Sequence, residues 1–194
     1  MTSVLYNSIS ASLLSGYIYD FSNFLRNLNN NPGFNKIIQS VLDFSDNNNF
    51  LHIIIADDDD DDKELFIEAM ANISTKIKVS TATNGVDLLH LLHTMDPPDI
   101  IFLDLNMPVM NGFQCLNNIK QDPRLRVIPI LIYSTSANLD QVEQTFLQGA
   151  TRYIQKPNSF QDIKYLLRSI LDLSPNQIFA PSKRNEFLLK AHEM

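Results

Sequence analysis

Cysteine occurs once in this chain, at Cys115, so an intrachain disulfide framework is excluded. That usage fits a reducing cytosol and a cytoplasmic location. Cys115 falls within a helical pattern, where it reads as a small core residue. No run of about 18 apolar residues occurs, which removes the basis for a membrane span. Lys and Arg are absent before Arg26, so the basic region of a secretory signal is missing. Cations are scarce overall: 15 Lys and Arg stand against 22 Asp and Glu. The resulting net charge of −7 disfavours sequence-independent binding to a phosphate backbone, and the pair Lys183-Arg184 is too short to reverse that.

What the chain has in quantity is aspartate. Seventeen of its acidic residues are Asp, and six form an unbroken run from Asp57 to Asp62. The run directly follows the apolar stretch Leu51-His52-Ile53-Ile54-Ile55-Ala56, which reads as a buried strand delivering carboxylates to a sheet edge. Like charges this close need water, a helix N-terminus or a cation to stay ionised together. A calcium-loop reading fails, because Asp62 stands where such a loop needs glycine and a strand, not a helix, precedes the run.

At 194 residues and 44% hydrophobic, the chain is expected to form one cored domain with extensions. Residues 1–49 read as an N-terminal helical extension with Asn-rich linkers. Leu5, Ile9, Leu13, Tyr17, Phe21, Leu25 and Leu28 recur at helical spacing, and Ile37, Ile38, Val41, Leu42 and Phe44 suggest a second, shorter helix. The stripe could face the main domain, face another copy, or stay loosely ordered.

From Phe50 onward the pattern alternates strand and helix. Strands are expected at Leu51 to Ala56, Ile77 to Val79, Asp99 to Asp104, Ile128 to Tyr133 and Tyr153 to Gln155. The fourth helix closes at Gly149, and the fifth opens at Ser159 with a Ser-x-x-Asp162 capping spacing. Strict alternation implies an α/β fold with a five-stranded parallel sheet, doubly wound, covered on both faces. The main domain is expected at 50–173 and a C-terminal tail at 174–194, where Glu186-Phe187-Leu188-Leu189 suggests a short docking helix.

In such sheets ligands bind off the carboxyl ends of the strands. Those ends carry Asp57 and Asp58, then Asp104 with Asn106 and Pro108, then Ser134 and Thr135, then Lys156-Pro157. Three acids together favour a hard, oxygen-preferring cation, and Mg²⁺ suits a site with few protein ligands and a phosphate. An ammonium and a hydroxyl beside them suit phosphoryl oxygens, with a carboxylate oxygen attacking phosphorus.

The pair Asp57-Asp58, Asp104 in Phe-Leu-Asp-Leu-Asn-Met-Pro, Gly112, Ser134, Tyr153 and Lys156-Pro157 together resemble a response-regulator receiver domain, over roughly residues 50–173. The resemblance implies a flavodoxin-like sheet of order 2-1-3-4-5. It implies Asp104 as phosphoacceptor, with Mg²⁺ held by Asp57, Asp58, Asp104 and the Asn106 backbone carbonyl. Ser134 and Lys156 would bind phosphoryl oxygens, and Tyr153 would be a switch aromatic that turns inward as Ser134 is drawn to the phosphoryl. The Lys156-Pro157 bond would be cis, at a cost of about 1 kcal/mol for X–Pro. Thr135 departs by standing where alanine is common.

The partners so implied are a histidine kinase or histidine phosphotransfer protein, an unidentified downstream protein, and a homodimer through the fourth helix, fifth strand and fifth helix. Output is expected by protein contact or onward phosphorelay, with no nucleic acid or membrane involved and no enzymatic turnover beyond the domain's own phosphorylation and dephosphorylation. Two rivals are a degenerate receiver acting as a constitutive binding module and an aspartyl-nucleophile phosphohydrolase using Asp57-x-Asp59. Asp59 to Asp62 read as helix-start and solvent charge, and His90 and His93 as packing or surface residues.

Overall fold

The computed structural model describes residues 50–173 and 184–189. The helical stripe expected within residues 1–49 lies outside them. The chain alternates β1 (Leu51–Ala56), α1 (Asp60–Ile73), β2 (Ile77–Ala82), α2 (Gly85–Thr94), β3 (Ile100–Leu103), α3 (Gly112–Gln121), β4 (Ile130–Ser134), α4 (Leu139–Leu147), β5 (Arg152–Gln155) and α5 (Phe160–Leu171). A 3₁₀ turn at Arg184–Glu186 and a two-residue strand, β6 (Leu188–Leu189), follow. All strand pairs are parallel, in the order β2-β1-β3-β4-β5-β6. The doubly wound expectation holds, with one strand more than the sequence suggested.

Alternation along each strand divides the core in two. Ile54, Ala56, Ile101, Leu103, Ile130, Ile132 and Tyr153 face α2, α3 and α4, joined by Leu88, Leu116 and Ile119. Ile53, Ile55, Ile100, Phe102, Leu131, Tyr133 and Ile154 face α1 and α5, joined by Phe66, Met70, Leu166 and Leu167. The central strands β1, β3 and β4 are therefore apolar on both faces, as a covered parallel sheet requires.

Helix starts are set by side chains that accept otherwise orphaned N–H groups, each worth about 1 kcal/mol. Asp59 caps α1 and Asn84 caps α2; Asn111 caps α3 in a reciprocal box with Gln114, Asn138 caps α4, and Ser159 caps α5. Gly149, just past α4, has φ 86°, the left-handed stop expected of it. Among the described residues no helix is long and apolar enough to cross a membrane.

The tail differs from expectation. Leu188-Leu189 extends along β5 instead of coiling, with Tyr153 paired to Leu188 and Ile154 to Leu189. The cause lies one residue earlier. Phe187 is fully buried, its ring 5.2 Å from Phe146 and 6.4 Å from Tyr153, and its carbonyl accepts the Tyr153 N–H at 2.8 Å. Arg184 pairs with Glu143 and sits 6.0 Å from the Phe146 ring centre. An open sheet edge and an aromatic pocket thus win over local helix preference.

Candidate functional site

Parallel strands bring their carboxyl ends to one edge, and β1, β3, β4 and β5 each release a polar residue there. Asp57 leaves β1 with its N–H on the Ala82 carbonyl (3.0 Å), and Asp104 leaves β3 with its N–H on the Ala56 carbonyl (2.9 Å). Both side chains are buried, while Asp58 is exposed. Carboxylate oxygens of Asp57, Asp58 and Asp104 lie within 4.8 Å of one another. Two buried acids and one open to water fit a hard divalent cation that keeps solvent on its outer side.

The loop after β3 is tight enough to demand Gly112. A Cβ there would lie 2.1 Å from the Asp104 carbonyl oxygen, and the Gly112 N–H donates to the Leu105 carbonyl at 3.1 Å. The Asn106 N–H donates to Asp104 Oδ2 at 2.9 Å, which orients the carboxylate and leaves Oδ1 toward the lysine.

Lys156 follows β5 with its N–H on the Ser134 carbonyl (2.9 Å). Its side chain is only 8% exposed and runs beside the Tyr133 ring, 5.6 Å from its centre. The ammonium donates to Asp57 Oδ2 at 2.6 Å and to Asp62 Oδ2 at 2.7 Å, and stands 4.0 Å from Asp104 Oδ1. Burial alone would lower its pKa, but the hydrogen bonds it donates to Asp57 and Asp62 outweigh this and hold it above the ordinary lysine value. Burial raises the Asp57 carboxyl, against the pull of Lys156. The Lys156-Pro157 bond is trans, contrary to expectation, since no cis peptide occurs among the described residues. The trans form is the favoured one for X–Pro, and the lysine reaches the acids from it.

Ser134 is completely buried at the end of β4; its Oγ makes no close, well-aligned hydrogen bond and has the Tyr153 phenol as a polar neighbour. A buried hydroxyl without a well-aligned partner is costly unless a ligand completes it. Tyr153 is fully buried, and its hydroxyl donates to the Ser136 carbonyl at 2.6 Å. Burial pushes that phenol up to about 12, so it stays a neutral donor. Thr135 is exposed, as are His90 and His93 on α2.

The acidic run divides differently from its reading as helix-start and solvent charge. Asp59 is indeed the cap, accepting from the N–H groups of Asp61 and Asp62. Asp62, however, is drawn onto Lys156. A helical side chain lies over the turn before its own Cα, so an acid at the third helical position reaches back across the strand end. Lys63 was also missed. It is buried, donates to the Asp57 carbonyl at 2.9 Å and pairs with Asp60 at 2.8 Å. Its three-residue spacing from Asp60 was the available signal.

A family model described as the response regulator receiver domain matches residues 53–168. The chain is 34% identical over 73 residues to the probable methanogenesis regulatory protein FilR2 of Methanothrix harundinacea. That match covers 38% of this chain and 47% of FilR2, so the chain spans about half the length of this relative. Among solved structures, the phosphorylated cyanobacterial phytochrome response regulator RcpA is similar with a TM-score of 0.60 at 27% identity, over 69% of this chain and 97% of that one. The Mn²⁺-bound form of response regulator Rcp1 is similar with a TM-score of 0.56 at 26% identity, over 61% of this chain and 90% of that one. The family match spans more than half of the chain, and its fold is the receiver fold: this protein belongs to the response-regulator receiver family of two-component signalling.

Proposed function

We propose that Asp104 accepts a phosphoryl group from the phosphohistidine of a histidine kinase or histidine phosphotransfer protein. The observation that carries this reading is the gathering of the Asp57, Asp58 and Asp104 carboxylates beside one buried ammonium. An Asp104 oxygen attacks phosphorus, the N–P bond breaks, and the imidazole leaves with a proton. Lys156 and Ser134 hold the phosphoryl oxygens, and the Ser134 Oγ, which makes no well-aligned hydrogen bond, supports that role. Asp57, Asp58, Asp104 and the Asn106 carbonyl are the residues we assign to Mg²⁺. The bound cation would neutralise charge on the phosphoryl oxygens. Water later returns the carboxylate and inorganic phosphate.

Residues 50–173 form the signalling module in this reading, with 1–49 as an N-terminal extension and 174–194 as a tail. Output is by protein contact, and the net charge of −7 disfavours a nucleic-acid target. Tyr153 is the switch residue, and the face of α4, β5 and α5 around it is the surface for a downstream protein or a second copy, reached by displacing β6 and Phe187, which cover its β5 edge. The phosphohydrolase alternative meets an obstacle: its second acid, Asp59, is committed to capping α1.

Incubation with Mg²⁺ and acetyl phosphate, followed by intact mass measurement, tests the assignment. One added phosphoryl that disappears in Asp104→Asn is the expected result. No gain in the wild type would move the protein to the constitutive binding module.

A further inference from the structure

We propose that Asp62 is a positioning residue that holds Lys156 back from Asp104 and thereby restrains phosphorylation. The inference rests on the phosphoacceptor role of Asp104 and goes further, because Asp62 belongs to none of the groups assigned to metal or phosphoryl.

The geometry is specific. Lys156 has two short carboxylate bonds, to Asp57 (2.6 Å) and Asp62 (2.7 Å), while Asp104 Oδ1 lies beyond hydrogen-bond range at 4.0 Å. The two holding acids differ in their other commitments. Asp57 is in the acid cluster, so a cation there would share its charge and loosen its grip on the ammonium. Asp62 is outside that cluster and keeps its full claim. It is therefore the group against which a phosphoryl on Asp104 must compete for Lys156.

Exposure makes this competition adjustable. The Lys156 side chain is 8% exposed and that of Asp62 34%, so the pair is neither a screened surface bridge nor a sealed internal one. The backbone supports the same placement. Asp62 N–H is tied to the Asp59 cap, which fixes the first turn of α1 beside the lysine. A carboxylate at that position acts on the reaction through Lys156 without touching the reacting atoms.

Removing the charge should free the lysine for the phosphoryl. In Asp62→Asn, the rate of phosphorylation by acetyl phosphate at saturating Mg²⁺ should rise about five-fold, the size of effect a partly exposed ion pair supports. Asp62→Glu should return it toward wild type. The gain should vanish when Asp62→Asn is combined with Lys156→Ala, because the two residues act as one unit. An unchanged or slower Asp62→Asn overturns the proposal. So does a gain that persists without Lys156, which would mean simple repulsion of the donor. A crystallographic arm needs no phosphorylation: with Mg²⁺ soaked into both proteins, the Lys156 Nζ to Asp104 Oδ1 separation should be shorter in Asp62→Asn than in the wild type, and equal separations refute the placement. A wild type that takes no phosphoryl sinks the phosphoacceptor reading alone, and that distance still decides whether Asp62 holds the lysine.

Discussion

Val109 sits in the loop between β3 and α3 with φ 66°, a left-handed conformation that a β-branched side chain resists. The Met110 N–H donates to the Pro108 carbonyl at 2.7 Å across it, so the tight turn imposes the angle. The side chain is 85% exposed and gives little packing in return. Val109→Asn should therefore stabilise the domain by about 1 kcal/mol, seen as a higher urea midpoint with an unchanged slope. A lower midpoint would show that the loop relies on the valine. Residue type alone does not announce such strain. Asp57, Asp58 and Asp104 were legible because each follows a strand marked by its apolar run, whereas the short strand Arg152–Gln155 marks Lys156 less clearly than the Lys-Pro motif does. Asp62 was not, since its bond to Lys156 depends on a helical side chain leaning back toward the N-terminus, and Lys63 follows directly on six aspartates.

Elements were legible wherever burial is two-sided or a cap is present. Ile53-Ile54-Ile55 and Ile100-Ile101-Phe102 could only be covered strands, and Ser159 and Gly149 stand where helix ends require them. In the tail, two leucines carry no period, so the sequence does not separate helix from strand there. Its strand form comes from an edge and a pocket contributed by residues more than thirty positions away. Phe187 is the anchor in this account. Phe187→Ala should cost about 3 kcal/mol and release β6, to be measured by chemical denaturation with near-ultraviolet circular dichroism. Loss of less than about 0.5 kcal/mol would show that the strand is held by its backbone alone.

At the scale of the whole molecule, the site gathers negative charge in a chain that is already acidic, with net −7. Asp57, Asp62 and Asp104 face one buried lysine and Asp58 stands beside Asp57 and Asp104, while Lys63 is engaged by Asp60 and the Asp57 carbonyl. A divalent cation should relieve that imbalance. Mg²⁺ at about ten times its dissociation constant should stabilise the fold by about 1.4 kcal/mol through mass action. Thermal melts with and without the ion test this: Asp58→Asn should lose most of the gain, and Asp60→Asn should keep it. An equal gain in both variants would place the ion elsewhere.

The pairing of the Tyr153 amide with the Phe187 carbonyl gives the domain a built-in gauge. That proton is shielded from solvent by β6 and not by the neighbouring β4, so its exchange clock runs on release of the tail and not on opening of the central sheet. Because the same residue carries the ring proposed to turn, one amide reports how tightly the far end of the chain grips the centre of the switch.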